Sequence, residues 1–265
     1  MATAIALTIA GSDPSGGAGV AADLKTFSAL GVYGAAALTA LTAQNTKGVF
    51  AIHNVPADFI AAQIDAVFAD LDVGAVKIGM LGNAEAAAAV AAALDRHQPR
   101  NVVLDPVLVA STGADLLPAD AMDALRAVIR RASVITPNLF EAAALLDQPL
   151  ARDEADMQAQ AQKLLALGCG AVLIKGGHSG GTESVDLLVE ADGSARFTAP
   201  RIAAKNTHGT GCTLSSAVAA GLAKGLSLNA AVREAKAYMS AAIAAADRLN
   251  VGTGRGPVHH FHDRW

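Results

Sequence analysis

The segment KNTHGTGCT, residues 205–213, carries the residue types and spacing best suited to chemistry in this sequence. Gly209 and Gly211 flank Thr210 directly before a helical pattern begins, and Cys212 follows the second glycine. Glycines let the backbone come close to a ligand, and the free N–H groups and dipole of a helix amino end attract anions. The segment therefore predicts an anion site, for which phosphate is the usual ligand.

Cys212 has four interpretations at this point: an inert space-filler, a metal ligand, a nucleophile, or a proton acceptor beside a phosphate. The other cysteine, Cys169, precedes an apolar run and is interpreted as a small core residue. The two cysteines lie 43 residues apart without metal-binding spacing, which favours a reducing cytoplasm and no disulfide framework.

Three further polar clusters follow predicted strands. In TPNLFE, Asn138 and Glu141 are three residues apart, which suits oxygen ligands for Mg²⁺ held through water and suits a helix capping box equally well. Asp105 in LDPV closes a strand, where it could also cap the turn at Pro106. Lys175 in IKGG could reach a phosphate across a close backbone turn, although surface lysines are common.

The glycine-rich segment GSDPSGGAG, residues 11–19, lies between a strand and a helix, as nucleotide-binding loops do. A dinucleotide fingerprint would need an acidic residue at the end of the second strand, and none occurs between Asp23 and Asp58. A Walker loop would need Gly-Lys-Ser/Thr, a string that the sequence lacks. A tight turn with a helix cap and a substrate-binding loop remain as alternatives.

Short apolar runs alternate with helical patterns throughout the 265 residues, which predicts a mostly parallel sheet covered by helices on both faces. Strands are predicted near 3–10, 35–43, 75–78, 101–104, 133–136 and 171–174, followed by a β-hairpin with an ADG turn. Helices are predicted near 18–30, 57–70, 83–96, 118–131, 138–147, 153–167, 211–224 and 228–248. Without a linker or repeat, residues 1–265 are expected to form one domain. Since ligands bind at the carboxyl ends of such strands, the clusters together predict a phosphoryl-transfer site.

Composition excludes several classes of protein. The 20 basic and 24 acidic residues are interspersed, which argues against a nucleic-acid or membrane partner. The longest apolar runs are shorter than a membrane span, so we expect a soluble cytoplasmic protein. The VHHFH segment lacks the helical pair spacing of zinc sites, which disfavours a metal there.

The motifs GSDPSGGAGVAADLKTF, TALTAQNT, VKIGML, LDPV, TPNLFEA, IKGGH and GTGCTLSSA resemble those of the hydroxymethylpyrimidine/phosphomethylpyrimidine kinases of thiamine biosynthesis, in the ribokinase superfamily. The resemblance extends over essentially the whole chain. It implies an α/β three-layer sandwich with a mostly parallel central sheet, ribokinase-like and without a separate lid domain. It also implies a kinase that uses ATP and Mg²⁺ to phosphorylate hydroxymethylpyrimidine and then its monophosphate, and a homodimer.

The resemblance carries roles to individual residues. The expected pyrimidine pocket is formed by Gly11, Asp23, Gln44, Met80 and Val107. The expected nucleotide contacts are Asn138, Lys175, Thr207, Thr210 and Gly211, with Asp105 and Glu141 serving Mg²⁺. The expected catalytic set is Lys175, the anion hole Gly209, Thr210 and Gly211, and Cys212.

Among the interpretations of Cys212, the resemblance favours a general base. Sugar kinases of the superfamily carry an aspartate at this position, and some pyridoxal kinases carry the cysteine. At a helix amino end we expect the pKa of the thiol to lie below its free value of about 8.5. A pyridoxal kinase, an enzyme with both activities, and a domain that senses the pyrimidine without turnover remain the alternatives.

Overall fold

The computed structural model describes residues 2–108, 121–177 and 181–265, which contain ten strands and eight α-helices. The strands are β1 (Ile5–Ala10), β2 (Tyr33–Leu38), β3 (Ala40–Asn45), β4 (Gly48–Asn54), β5 (Ala75–Ile78), β6 (Val102–Leu104), β7 (Val134–Ile135), β8 (Ala171–Lys175), β9 (Glu183–Glu190) and β10 (Gly193–Pro200). The helices are α1 (Gly19–Ala29), α2 (Ala57–Phe68), α3 (Ala84–His97), α4 (Met122–Ile129), α5 (Leu139–Leu146), α6 (Glu154–Leu165), α7 (Thr210–Ala223) and α8 (Leu228–Ala244). The predicted start of the fourth helix, near 118, lies outside the described residues.

Eight strands form one sheet in the order β10-β9-β8-β7-β6-β5-β1-β2. The six strands from β2 to β8 in this order pair in parallel, whereas β9 and β10 form an antiparallel hairpin at one edge. The predicted mostly parallel α/β sheet is confirmed.

Successive strand residues point to opposite faces of the sheet, and the sequence uses this alternation to build two apolar layers. In β5, Val76 and Ile78 join the cluster that packs against α2 to α6. Ala75 joins the second cluster, which packs against α1, α7 and α8. The three-layer arrangement follows from this division of the side chains.

The predicted strand 35–43 is divided in the structure, because Thr39 leaves the sheet direction between β2 and β3. Its N–H donates to the carbonyl of Ala10 at 3.0 Å, and its hydroxyl donates to the carbonyl of Met80 at 2.6 Å. The chain then forms the antiparallel hairpin β3–β4, a separate two-stranded sheet that we call the flap. β4 was not predicted, because its side chains are mostly exposed and show no buried alternation.

The described part of the chain contains no helix with the length and apolar character needed to cross a membrane.

The contact between α7 and α8 depends on Gly221. A Cβ atom at this position would lie 2.8 Å from the Cβ of Ala231 and 3.0 Å from its Cα. We expect Gly221→Leu to lower the free energy of unfolding by about 1–3 kcal/mol, because the added side chain separates the two helices. Urea unfolding measures this loss.

Gly193→Leu is the matched control, because a Cβ there would meet no atom within 4 Å. Its effect should stay within about 0.5 kcal/mol. Equal losses for the two variants would contradict the assigned α7–α8 contact.

Candidate active site

The carboxyl ends of β6 and β8 meet the amino end of α7. Asp105 directly follows β6, Lys175 ends β8, and Gly211 lies in the first turn of α7. A Cβ atom on Gly211 would lie 3.3 Å from the Lys175 Nζ and 3.4 Å from the Asp105 Oδ2. The predicted phosphate loop, lysine and aspartate are therefore brought together.

Lys175 is held between two carboxylates. Its Nζ donates to the Asp105 Oδ1 at 2.7 Å and lies 3.8 Å from the Glu141 Oε2. Thr136 fixes Asp105 from the next strand by a hydroxyl hydrogen bond of 3.2 Å. Burial lowers the pKa of Lys175, but the charges of Asp105 and Glu141 outweigh this and raise it, so the ammonium stays charged.

Asn138 and Glu141 form a capping box, one of the two interpretations of their spacing. The Glu141 N–H donates to the Asn138 Oδ1 at 2.9 Å, and the Asn138 N–H donates to the Glu141 Oε2 at 2.7 Å. Glu141 is also almost fully buried, and this burial raises its pKa to about 7 despite the opposing charge of Lys175. The Glu141 carboxylate therefore caps α5 and also belongs to the group of charges around Lys175.

The backbone of the predicted phosphate loop, residues 205–213, requires a glycine at position 209. Its φ is +78°, and a Cβ there would collide with the carbonyl oxygen of Gly17 in the glycine-rich loop after β1. Thr207 accepts the N–H of Thr210 at 3.4 Å through its carbonyl. The two glycine-rich segments thus pack directly against each other at the start of α7.

The environment of Cys212 differs from the expectation. Burial, together with the carboxylates of Asp23 and Asp105, raises the pKa of the thiol to about 11, although Lys77 and the N–H of Gly19 oppose the rise. The prediction of a lowered pKa is wrong, because loss of solvation outweighs the donors around the helix end.

Asp23 also differs from its predicted position. Its side chain is fully buried, and its oxygens lie 2.9 and 3.0 Å from the Lys77 Nζ. It also accepts hydrogen bonds from Thr8 at 2.6 Å and from Ser216 at 2.7 Å. Asp23 is therefore not an exposed wall of the pyrimidine pocket, since every face of its carboxylate is turned to buried partners.

Three of the other predicted pocket residues, Gly11, Met80 and Val107, lie near one another. Met80 packs with Val107 and Ala40, and a Cβ on Gly11 would lie 3.1 Å from the Met80 sulfur. Gln44 comes from the flap, where its Oε1 accepts the hydroxyl of Thr42 at 3.2 Å. Met80 and Val107 form a small apolar surface next to Gly11.

Sequence reasoning missed the pair Asp13–His208. The Asp13 Oδ2 accepts from the His208 Nε2 at 2.8 Å and from the N–H of Ala18 at 2.9 Å. Burial raises the pKa of Asp13, but the hydrogen bonds from His208 and Ser15 outweigh it and lower the pKa. The histidine inside KNTHGTG and the aspartate inside GSDPSGG were visible, but only the fold shows that they join the two loops.

The imidazole of His208 also lies beside the flap. Its Nε2 is 3.5 Å from the Gln44 Nε2. The phosphate loop, the glycine-rich loop and the flap therefore meet around one histidine.

Within the described ranges, no three His, Cys, Asp or Glu side chains are grouped so that they could hold a metal ion by themselves.

The family model of phosphomethylpyrimidine kinase matches residues 13–259. The chain belongs to the phosphomethylpyrimidine kinase family. The hydroxymethylpyrimidine/phosphomethylpyrimidine kinase of Rhizobium meliloti is 58% identical over 264 residues, which cover 99% of each protein.

Solved structures are similar over nearly the whole chain. The Bacillus subtilis pyridoxal kinase in an ADP complex has a TM-score of 0.91 and 37% identity and covers 99% of both chains. The Staphylococcus aureus pyridoxal kinase in complex with AMP-PCP and pyridoxal has a TM-score of 0.90 and 32% identity, over 100% of this chain and 96% of its own. The ribokinase-like fold of this phosphomethylpyrimidine kinase family member is thereby established.

The raised pKa of Glu141 predicts a pH-dependent stability. Between the ordinary value of 4.5 and about 7, the folded state binds the carboxyl proton more tightly than the unfolded state. Stability contributed by the protonated carboxyl is therefore lost as pH rises through this window. Glu141→Gln keeps an amide oxygen for the N–H of Asn138 and is uncharged at every pH. The difference between its free energy of unfolding and that of wild type should therefore increase by about 1–3 kcal/mol from pH 5 to pH 8.

Urea unfolding at both pH values measures this difference. Glu85→Gln is the control, because Glu85 is an exposed glutamate in the first turn of α3. A Glu141→Gln effect that is the same at pH 5 and pH 8 would contradict the assignment.

Proposed function

We propose that the chain transfers the γ-phosphoryl group of ATP first to the hydroxymethyl oxygen of 4-amino-5-hydroxymethyl-2-methylpyrimidine and then to the resulting monophosphate, as a step of thiamine biosynthesis. The observation that carries this proposal is the Lys175 ammonium between Asp105 and Glu141, directly beside Gly211 at the amino end of α7. The family membership supports the acceptor. The function rests on one domain, residues 1–265, built on a single large sheet.

The phosphates of ATP are assigned to the space between Lys175 and the first turn of α7. The first N–H groups of a helix have no acceptor within it, so those of Gly211 and Cys212 can bind phosphate oxygens. Asn138, Thr207 and Thr210 flank this space. The charged Lys175 neutralises negative charge on the transferring group, whose equatorial oxygens carry the charge of the transition state.

Mg²⁺ fits the two carboxylates of this cluster. Oxygen donors suit a hard cation, and Asp105 and Glu141 would hold it through water with the phosphates as further ligands. The raised pKa of Glu141 supports this, because the cluster has too little positive charge to keep that carboxyl fully ionised near neutral pH. The cation supplies charge neutralisation between the donor phosphates when bound.

The pyrimidine is assigned to the apolar surface of Met80 and Val107, next to Gly11. A Cβ on Gly11 would lie only 3.1 Å from the Met80 sulfur, so glycine at this position keeps the sulfur uncovered on that side. Gln44 supplies both a donor and an acceptor, which suit a ring nitrogen and the 4-amino group. The Asp13–His208 pair then holds the phosphate loop against the side of the pocket that Gln44 lines.

Cys212 is assigned as the general base of the first step. The hydroxymethyl oxygen forms its bond to the γ-phosphorus, the bond to the β-phosphate oxygen breaks, and the hydroxyl proton passes to the Cys212 sulfur. With a thiol pKa of about 11, roughly one molecule in a thousand carries the thiolate at pH 8. A small thiolate fraction is sufficient, because the transition state of phosphoryl transfer is loose and the alcohol loses its proton late.

We also propose a homodimer in the cytoplasm. The flap exposes Leu41, Phe50 and Ile52, and a group of exposed apolar side chains on one hairpin is typical of an interaction surface. Both cysteines are free thiols, in keeping with a reducing compartment.

A pyridoxal kinase activity is the second candidate, favoured by the TM-score of 0.91 to the Bacillus subtilis pyridoxal kinase. Turnover with hydroxymethylpyrimidine and with pyridoxal, each with ATP and Mg²⁺, separates the two. We expect hydroxymethylpyrimidine to give the diphosphate with two ATP consumed, as counted by product mass. A product that remains the monophosphate with ATP in excess would contradict the second phosphorylation. If no ATP is consumed with either substrate, the result would favour a domain that senses the pyrimidine without turnover.

Cys212→Ala should lower kcat of the first phosphorylation by about 10²–10⁴-fold, the usual effect of removing a general base. The second step should be much less affected, because the phosphate acceptor, with a pKa of about 6, has already lost its protons at pH 8. ATP affinity should change little, since the backbone donors remain. Separate assays that start from the alcohol and from the monophosphate measure the two rates.

Cys169→Ala is the matched control, because this buried cysteine donates to the carbonyl of Leu164 and lies before the amino end of β8, opposite to the end at which Lys175 lies. It should leave both steps near wild type. A Cys212→Ala variant that keeps the wild-type rate on the alcohol would show that the thiol only fills space.

A further inference from the structure

Lys77 is a fully buried lysine in the middle of an otherwise apolar strand. All four residues of β5 are buried, and the neighbours Val76 and Ile78 belong to the apolar core. Burial of an ammonium group costs several kcal/mol even after relaxation. Replacing a buried ion pair by apolar side chains is often neutral or stabilising, so packing alone does not account for this residue.

The Lys77 ammonium is fixed by elements that also build the active site. Its Nζ lies 2.9 and 3.0 Å from the two oxygens of Asp23 on α1. Asp23 in turn accepts the hydroxyl of Ser216 on α7 at 2.7 Å. A Cβ on Gly79 would lie 2.8 Å from the same Nζ, so the ammonium is tightly enclosed from the strand end as well.

Ser216 places this ion pair below Cys212. The two residues are four apart on α7, which puts them on one face of the helix, one turn from each other. Because Ser216 bonds to Asp23, and Asp23 to Lys77, the ammonium lies beneath the face that carries the thiol. The N–H of Gly19, where α1 begins, lowers the pKa of the Cys212 thiol, so α1 also acts on this sulfur.

We propose that Lys77 is a positioning residue of phosphoryl transfer, held by Asp23 as the fixed positive charge beneath Cys212 and the phosphate loop. The proposal rests on the general-base role of Cys212 given above. A charge in this position favours the thiolate over the thiol, and it does so without any solvent reorganisation during the reaction.

The charges around Cys212 have opposing signs. Lys77 from β5 favours the thiolate, whereas Asp23 from α1 and Asp105 after β6 disfavour it. Lys175 at the end of β8 interacts with the thiolate as a further cation. Among these groups Lys77 has the strongest effect on the thiol, which makes it the residue to test.

The reactivity of the thiol provides a test that does not depend on the substrate. We would measure alkylation of Cys212 by iodoacetamide from pH 7 to pH 10, with peptide mass analysis separating Cys212 from Cys169. The variant is Lys77→Met with Asp23→Asn, which removes both charges and leaves no unpaired buried ion. We expect its alkylation at pH 8.5 to be about three- to fivefold slower than in wild type, because Lys77 acts on the thiol more strongly than Asp23 and losing the aspartate offsets only part of losing the lysine.

A second buried ion pair gives the matched control. Lys236 on α8 donates to Asp186 on β9 at 2.7 Å, and both side chains are buried. Lys236→Met with Asp186→Asn removes the same kind of pair, and Cys212 should be alkylated at the wild-type rate within about twofold. Ser216→Ala keeps both Lys77 and Asp23, so Cys212 in this variant should also be alkylated at nearly the wild-type rate.

The pH dependence of kcat tests whether the charge of Lys77 affects the reaction itself. In the Lys77→Met/Asp23→Asn variant, the rise of kcat with pH for the first phosphorylation should move to higher pH, with KM for the pyrimidine nearly unchanged. Lys77→Gln, which keeps a donor for Asp23 and removes only the positive charge, should slow alkylation further, by about tenfold, and tests the proposal if the double variant does not fold. A folded variant with the wild-type alkylation profile would overturn the proposal, whereas a wild type without kinase activity would refute the proposed function and leave the alkylation result standing.

Discussion

The close approach of α7 to the strand ends is the constraint on which the rest of the site depends. Gly209 allows the turn with its positive φ, and Gly211 leaves room beside the Lys175 Nζ and the Asp105 Oδ2. A side chain at Gly209 would strike the carbonyl oxygen of Gly17, and one at Gly211 would fill the space beside Lys175 and Asp105 where we propose that phosphate binds. The lysine, the aspartate and the helix N–H groups therefore act on one point in space only because the two glycines lack side chains.

This geometry concentrates charge where solvent is scarce. Two ammonium groups, Lys77 and Lys175, face three carboxylates, Asp23, Asp105 and Glu141, near the amino end of α7. The imbalance is visible in Glu141, whose pKa rises to about 7, and in Cys212, whose thiol pKa rises to about 11. The nucleotide and cation that we propose to bind here would bring both signs of charge into the cluster, and the protonation states of both groups would then depend on whether the site is occupied.

The sequence predicted the order of the strands and helices of the main sheet, and the polar residues at the carboxyl ends of its strands. Apolar runs such as AVKI and AVLIK correspond to buried strands, and Lys175, the last residue of the latter, lies at the carboxyl end of β8. The flap was missed in part because an exposed strand has no burial pattern to read. The pKa of Cys212 was predicted in the wrong direction because a helix amino end is visible in sequence, whereas the depth of burial is not.

The ion pair of Asp23 and Lys77 is a further feature that could not be predicted from the sequence. Each is a charged residue in a motif of the family, and nothing in GVAAD or VKIGM indicates that the two lie 2.9 Å apart with no solvent contact. Their partnership needs α1, β5 and α7 to be packed together, which is a property of the whole three-layer fold.

The groups that are costly to bury gather at the carboxyl edge of the parallel strands. The buried Glu141 and the Lys175–Asp105 pair lie there, and burial of such charged groups is unfavourable for folding when taken alone. The remainder of the sheet is lined by Val, Leu, Ile and Ala side chains in two continuous apolar clusters. Burial of that surface offsets the cost of the edge, because hydrophobic burial scales with the area removed from water while the unfavourable groups are few. The layers of small residues that let α7 approach the sheet thus also supply the stability that a highly charged catalytic edge requires.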